Sequence, residues 1–119
     1  MFKILVVEDD RELNRAVCAF LGRNGYEAVG CLCAEEAYDA LYETVFDLII
    51  SDIRMPHMRG NEFLYYLKGN ELLKHIPVVM LSSEESTTER IHLLEAGAAD
   101  YILKPFNPLE LRARIKKYI

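Results

Sequence analysis

Short apolar runs alternate with stretches of helical periodicity along the chain. The runs are rich in β-branched residues and too short for buried helices, so each predicts a strand. The predicted strands are residues 3–7, 27–31, 48–52, 78–81 and 101–103. Between them, apolar residues recur at spacings of three and four, which predicts amphipathic helices. The helices are residues 11–23, 35–43 and 60–68, a segment between a Ser86 or Thr87 cap and Gly97, and a last helix after the Asn107 cap.

Individual residues refine these elements. Asp9 or Asp10 is placed to cap the first helix, since a short carboxylate side chain satisfies the free N–H groups of a first turn. Pro56 disfavours a helix running directly off the third strand, so we expect an ordered loop there. Ile91 and Leu94 are the apolar positions expected to mark the fourth helix.

Five strands alternating with five helices indicate an α/β fold, a parallel sheet covered by helices on both faces. At 119 residues the chain is the size of one domain, 1–119, and contains no linker or internal repeat. Right-handed crossovers bring the carboxyl ends of all strands to one edge, where doubly wound sheets bind their ligands.

Polar side chains stand where four of these strands end. Glu8 and Asp9 follow the first strand, Asp52 ends the third, Ser82 follows the fourth and Lys104 follows the fifth. Each alone suits an ordinary role as a cap, turn or surface residue. Their joint placement on one edge predicts a site.

The chemistry of that edge follows from its charge. Carboxylates about 4 Å apart repel by about 4 kcal/mol per pair at an effective dielectric of 20, so a cation is needed among them. Lys104 offsets part of the charge, and an all-oxygen cluster suits Mg²⁺. A divalent cation, a lysine and a hydroxyl around Asp52 favour phosphoryl transfer, with the Asp52 carboxylate as nucleophile.

Composition narrows the function classes. The formal net charge of −5 argues against direct nucleic-acid binding, and no apolar run reaches the roughly 20 residues of a membrane span. The chain begins without a signal-peptide pattern, so we expect a cytoplasmic protein. Cys18, Cys31 and Cys33 lack redox or zinc spacing and are expected to be reduced structural thiols.

Four segments together resemble the response-regulator receiver domains of two-component signalling. The matching segments are 4–10, 52–56 with Gly60, 78–82 and 97–106, and the resemblance covers essentially the whole chain. It implies a flavodoxin-like, doubly wound sheet of order 2-1-3-4-5. It also implies that a sensor histidine kinase or phosphotransfer protein phosphorylates Asp52, in a regulatory domain that catalyses only its own phosphoryl transfer and dephosphorylation.

The resemblance assigns roles to further residues. It implies Mg²⁺ bound by Glu8, Asp9, Asp52 and the backbone carbonyl of Arg54, and a switch in which Ser82 is drawn to the phosphoryl group while Tyr101 turns inward. That switch alters the face formed by helix four, strand five and helix five.

The last third most resembles receivers of winged-helix DNA-binding regulators, which implies a possible homodimer through that same face. The residues that fall at its ion-pair positions are Arg90, Asp100, Glu110 and Arg114. Ala99 departs from this pattern because an acid is usual there, and Arg59 departs in the loop after Pro56.

Other functions stay open at this stage. A Mg²⁺-dependent phosphohydrolase with an aspartyl nucleophile usually carries a second acid two residues later, where this chain has Arg54. A pseudo-receiver would lack the intact site, and a flavin-binding protein would need glycines where this edge has acids. We also hypothesise that Arg54 and Glu84 pair across the mouth of the site and slow hydrolysis, with His57 lining the approach.

Overall fold

The computed structural model describes residues 1–55, 58–83 and 86–119, and only the backbone at 59 and 60. Pro56, His57 and Glu84, to which the sequence assigned a turn, an approach to the site and a gate, lie outside the described residues. Among the described residues, the longest helix is too short and too polar to cross a bilayer.

One five-stranded parallel sheet organises the molecule. We number its strands β1 (Lys3–Val7), β2 (Glu27–Cys31), β3 (Leu48–Asp52), β4 (Val78–Ser82) and β5 (Asp100–Leu103). The spatial order is β2-β1-β3-β4-β5, and all four neighbouring pairs are parallel. The predicted order 2-1-3-4-5 is confirmed, and β3 lies at the centre with every residue buried.

Five helices connect the strands: α1 (Arg11–Arg23), α2 (Ala34–Glu43), α3 (Gly60–Lys68), α4 (Thr87–Glu95) and α5 (Pro108–Ile115). Their ends follow from local chemistry. Asp10 caps α1, Ser86 caps α4 and Asn107 caps α5, each through a side-chain oxygen that accepts from backbone N–H groups of the first turn.

Two apolar clusters cover the two faces of the sheet, because successive residues of a strand point to opposite sides. Ile4 and Val6 of β1 pack in the cluster that includes α1 and α5 residues. Leu5 and Val7 pack in the cluster on the other face, which includes residues of α2, α3 and α4.

Two local features differ from the sequence expectation. The segment after β3 was expected to be a loop, but Arg54–Met55 and Met58–Arg59 pair as a small antiparallel ribbon. In α4 the buried apolar residue is Leu93, whereas Ile91 and Leu94 are exposed. Leu93 packs in the cluster beneath the helix, so the stripe that Ile91 and Leu94 were expected to provide faces outward.

Candidate functional site

The carboxyl edge of the sheet brings Asp52 beside the end of β1. Val7 is paired with Ser51 and Asp52 with Leu81, so Asp52 lies between the neighbouring strands at the rim. Glu8 directly follows β1 and is held in register by its N–H, which donates to the Cys31 carbonyl at 3.0 Å. The topology therefore places both acids where the sequence analysis expected them.

Three carboxylates meet at this edge. One oxygen from each of Glu8, Asp9 and Asp52 lies within 4.8 Å of the other two. Glu8 and Asp52 are buried, whereas Asp9 is exposed, so the cluster has a dry side and a side open to solvent. Carboxylate oxygens on a partly open site are the donors that a hard, hydrated cation such as Mg²⁺ prefers, and the residues present fit that ion.

Lys104 is the cation of the site. Its ammonium donates a hydrogen bond to a Glu8 carboxylate oxygen, and its Nζ lies 3.4 Å from Asp52 Oδ2. Burial alone would lower the pKa of Lys104, but the hydrogen bond to Glu8 and the charges of both acids outweigh it, so the pKa is raised. Lys104 is therefore held in its charged form.

At Glu8, unlike at Lys104, the effect of burial on the pKa outweighs that of the hydrogen bonds. Only 1% of Glu8 is exposed, and burial raises the pKa of its carboxyl group to about 7, although the hydrogen bonds from Lys104 and from the Asp10 N–H pull that pKa down. The neighbouring Asp52 charge acts in the same direction as burial. Without another cation, the three acids and one lysine leave an excess of negative charge at the edge.

Ser82 and Tyr101 lie on the side of Asp52 toward β5. Ser82 is the buried last residue of β4, one position beyond the partner of Asp52, and its carbonyl accepts from the Lys104 N–H at 2.6 Å. Tyr101 of β5 is buried in the apolar cluster on the sheet face that α2, α3 and α4 cover. The Tyr101 side chain is therefore largely shielded from solvent in this structure.

Arg54 follows Asp52 by two residues at the start of the small ribbon, and it is exposed. The N–H of the intervening Ile53 donates to the Leu81 carbonyl at 3.1 Å and extends the β3–β4 pairing past Asp52. The backbone of Arg54 therefore continues along the same edge as the acids.

Three of the four residues assigned to a dimer face interact within the chain. Arg114 Nη1 lies 2.8 Å from Asp100 Oδ1, and Arg114 Nε lies 3.8 Å from Glu110 Oε1. Arg90 is exposed on α4. Ala99, which stands where an acid is usual, has no side-chain charge to pair. Its backbone carbonyl accepts a hydrogen bond from the Tyr118 hydroxyl at 2.8 Å.

Sequence reasoning missed Asn14, a buried residue of α1 that supports the acidic edge. Its Nδ2 donates to the Glu8 and Cys31 carbonyls, both at 3.0 Å, and so ties the end of β1 to the end of β2. Gly30 makes room for it, because a Cβ there would lie 2.2 Å from Asn14 Oδ1. The signal was present in the sequence: Asn14 continues the buried stripe of Val17 and Leu21 at helical spacing.

An apolar cleft adjoins the site on the side of α1 and α5. Its volume is about 460 Å³, and Lys104 and Asp10 form the end nearest the acids. Leu13, Phe20 and Phe106 are among the apolar residues that line it. The cleft therefore places apolar surface directly beside the charged edge.

Comparison with known proteins assigns the chain to a family. The family model described as "Response regulator receiver domain" matches residues 4–116. The chain is 42% identical over 114 residues to the phosphate regulon transcriptional regulatory protein PhoB of Escherichia coli, covering 96% of this chain and 50% of that protein. It is 39% identical over 116 residues to the E. coli transcriptional regulatory protein CpxR, covering 98% and 48% respectively. The chain thus spans about half the length of these relatives.

A solved structure gives the same result for the fold. The chemotaxis response regulator CheY4 of Vibrio cholerae, in a crystal form obtained at low pH, superposes with a TM-score of 0.94 at 32% identity, covering 100% of this chain and 99% of that one. The family match spans nearly the whole chain, and the acidic cluster lies where the sheet topology requires it. The chain belongs to the receiver domains of two-component response regulators.

Proposed function

We propose that residues 1–119 form one receiver domain in which Asp52 accepts a phosphoryl group from a phosphohistidine on a sensor histidine kinase or phosphotransfer protein. The observation that carries the proposal is the meeting of Glu8, Asp9 and Asp52 within 4.8 Å, with Lys104 3.4 Å from Asp52. Phosphoryl transfer depends mainly on positioning and on charge stabilisation, and this edge supplies both.

In the proposed reaction, a carboxylate oxygen of Asp52 attacks the phosphorus of the donor. A P–O bond forms while the P–N bond breaks, and the bonding pair stays on the imidazole nitrogen, which takes a proton from solvent. Lys104 and the Ser82 hydroxyl contact the phosphoryl oxygens. Dephosphorylation is a separate hydrolysis: water forms a new bond to phosphorus and gives up a proton to solvent, the P–O bond to Asp52 breaks, and inorganic phosphate leaves as the Asp52 carboxylate is restored.

Glu8, Asp9, Asp52 and the Arg54 backbone carbonyl would hold Mg²⁺. When bound, the ion supplies positive charge that offsets the charge on the phosphoryl oxygens. Glu8 and Asp9 act as its ligands, and Lys104 keeps Glu8 and Asp52 in place through its ion pairs.

The apolar cleft beside the site supports a protein as the phosphoryl donor. The apolar cleft lined by Leu13, Phe20 and Phe106 leads to Lys104, and apolar surface next to a charged site favours a macromolecular partner over a small anionic substrate. Phosphohistidine on such a kinase is made from ATP, and a cytoplasmic location, where ATP is abundant, is part of the proposal.

We further propose that phosphorylation changes the face formed by α4, β5 and α5 through Ser82 and Tyr101, and thereby controls an output domain or partner. New charge-assisted hydrogen bonds to the phosphoryl group would bias this switch. Asp100, Glu110 and Arg114 already pair within the chain, and such pairs can exchange partners across a two-fold axis that also brings in Arg90. Homodimerisation through this face is therefore part of the proposal.

The test is incubation with Mg²⁺ and acetyl phosphate, followed by intact mass spectrometry. We expect a phosphoryl adduct on the wild type and on Asp39→Asn, a matched control that removes an exposed acid of α2. Asp52→Asn, and the wild type in excess chelator, should carry none. Continuous release of phosphate without an adduct would instead identify a phosphohydrolase.

A further inference from the structure

A second apolar surface lies at the end of the sheet opposite the acidic edge, where the segments after α2 and α3 lead into β3 and β4. It surrounds a cavity of about 700 Å³ lined by Tyr38, Asp39, Tyr42, Val45, Tyr66 and Leu72 among others. We call it the α2–α3 surface. Three large apolar residues around it are strongly exposed: Tyr42 at 94%, Val45 at 79% and Leu72 at 81%. Such a grouping of exposed apolar side chains is unusual. Such patches mark interaction sites more often than scattered apolar residues do.

Aromatic contacts join α2 and α3 at this surface. The Tyr38 ring contacts Phe63 and Tyr66, with ring centroids 5.7 Å and 4.7 Å apart. The Tyr38 hydroxyl donates to Met58 Sδ at 3.1 Å. Because these contacts pack α2 against α3, little ordering would be needed when a partner binds.

Acidic residues are concentrated on α2 beside the cavity, and Asp39 is the one of them that lines it. Residues 34–47 contain five acids and neither lysine nor arginine, so their charge of −5 equals that of the whole chain, and the other 14 acids balance the 14 basic residues. Glu35, Asp39 and Glu43 are exposed on α2 at intervals of four, and Asp39 lines the cavity. The helix dipole favours Glu35, which lies in the first turn of α2, but it does not account for Asp39 and Glu43, and like charges at that spacing destabilise a helix.

Two lysines near the 70–76 segment do not line the cavity and make contacts of their own. Lys68 Nζ donates to the Lys74 and Ile76 carbonyls at 3.1 Å and 3.0 Å, and Lys74 Nζ lies 2.9 Å from Glu71 Oε2. The cavity therefore presents an apolar, aromatic centre with the exposed acidic row of α2 beside it.

We propose that the α2–α3 surface docks a basic amphipathic segment of another protein. Its apolar side chains would fill the cavity beside Tyr42 and Leu72, and its lysines or arginines would face the acidic row. A second copy of this chain fits less well, because a two-fold contact at this surface would bring two acidic rows together. The surface lies at the other end of the sheet from Asp52, so a partner here would leave the acidic edge accessible.

The probe for this proposal is a synthetic helical peptide of about 18 leucines and lysines, with leucine on one face. Binding is measured by fluorescence anisotropy and mapped by ¹⁵N NMR of the wild-type chain. We expect the largest amide shifts in α2, α3 and residues 69–76, with affinity that falls as salt rises. Shifts centred on α4 and α5 would overturn the proposal, as would equal binding of a leucine–glutamate peptide.

Matched variants separate a specific site from general attraction to an acidic protein. Asp39→Lys should weaken binding about fivefold or more, whereas Glu95→Lys on α4 makes the same charge change and should have little effect. Tyr42→Ala should weaken binding about tenfold, and Leu109→Ala, which shortens another exposed apolar residue, should not. Equal losses within either pair would overturn the proposal. Self-association of the wild type that Tyr42→Ala abolishes would assign the surface to a second copy instead.

Discussion

Asn14 and Gly30 give a quantitative test of how the acidic edge is held. Asn14→Ala removes two hydrogen bonds of 3.0 Å. The Glu8 carbonyl loses this donor while buried, which costs about 1–3 kcal/mol, and the Cys31 carbonyl keeps its bond from the Glu8 N–H, so its share is about 1 kcal/mol. Alanine returns roughly 0.5 kcal/mol in helix propensity. The net loss in free energy of unfolding should be about 1.5–3.5 kcal/mol.

Gly30→Ala tests the same contact from the opposite side. The new Cβ would lie 2.2 Å from Asn14 Oδ1 and 3.2 Å from Cys18 Sγ, so Asn14 must move. Overpacking of this kind costs about 1–3 kcal/mol. When Asn14 is already alanine, the oxygen that meets the new methyl group is gone, and the cost of Gly30→Ala should fall sharply.

Urea unfolding followed by circular dichroism measures both single variants and the double variant. We expect the double variant to be more stable than the sum of the two losses predicts, by at least about 1 kcal/mol. Arg15→Ala, an exposed change on the same helix, serves as the control and should stay within about 0.5 kcal/mol of the wild type. Additive losses, or an Asn14→Ala variant as stable as the control, would refute the proposed contact.

Three further outcomes follow from the site and the core. Mg²⁺ should raise the unfolding temperature of the wild type, as measured by calorimetry. Asp9→Asn should remove most of that rise, because Asp9 is the solvent-facing acid of the cluster. An equal rise in the wild type and the variant would contradict the assignment of Asp9 as a ligand. Lys104→Met should slow adduct formation with acetyl phosphate at least about tenfold, while Lys116→Met at the exposed end of α5 should not, as time-resolved intact mass would report. Burial raises the pKa of the Cys31 thiol to about 11, so about 1% of it is thiolate at pH 9, and that fraction rises with pH. Alkylation mapped by mass spectrometry should therefore label Cys31 far more slowly in the folded chain than in urea. Equal rates would refute the burial of Cys31.

The sequence predicted the sheet well because its strands are distinctive. β3 and β4 are apolar and fully buried, and a parallel order follows once helices alternate with such strands. The same topology predicted that Asp52 and Lys104 would meet, since both follow strands that end on one edge.

Other features depend on packing that no single stretch of sequence encodes. The ion pair between Lys104 and Glu8 joins residues 96 positions apart, and its geometry depends on the spacing of β1 and β5 across the sheet. In α4, Ile91, Leu93 and Leu94 offer more than one possible apolar stripe, and only the packing of the helix against the core decides that Leu93 is buried. Asn14 escaped notice because a polar residue in a helix is ordinarily read as exposed.

The central claim is that Asp52 is the phosphoryl acceptor, and the most direct measurement locates the acyl phosphate itself. After incubation with Mg²⁺ and acetyl phosphate, borohydride reduces an aspartyl phosphate to homoserine, which peptide mass spectrometry assigns to one position. We predict homoserine at position 52 and unmodified aspartate at positions 9 and 10. Homoserine at either of those positions with Asp52 intact, or no reduced residue in a chain that carries the adduct, would contradict the account.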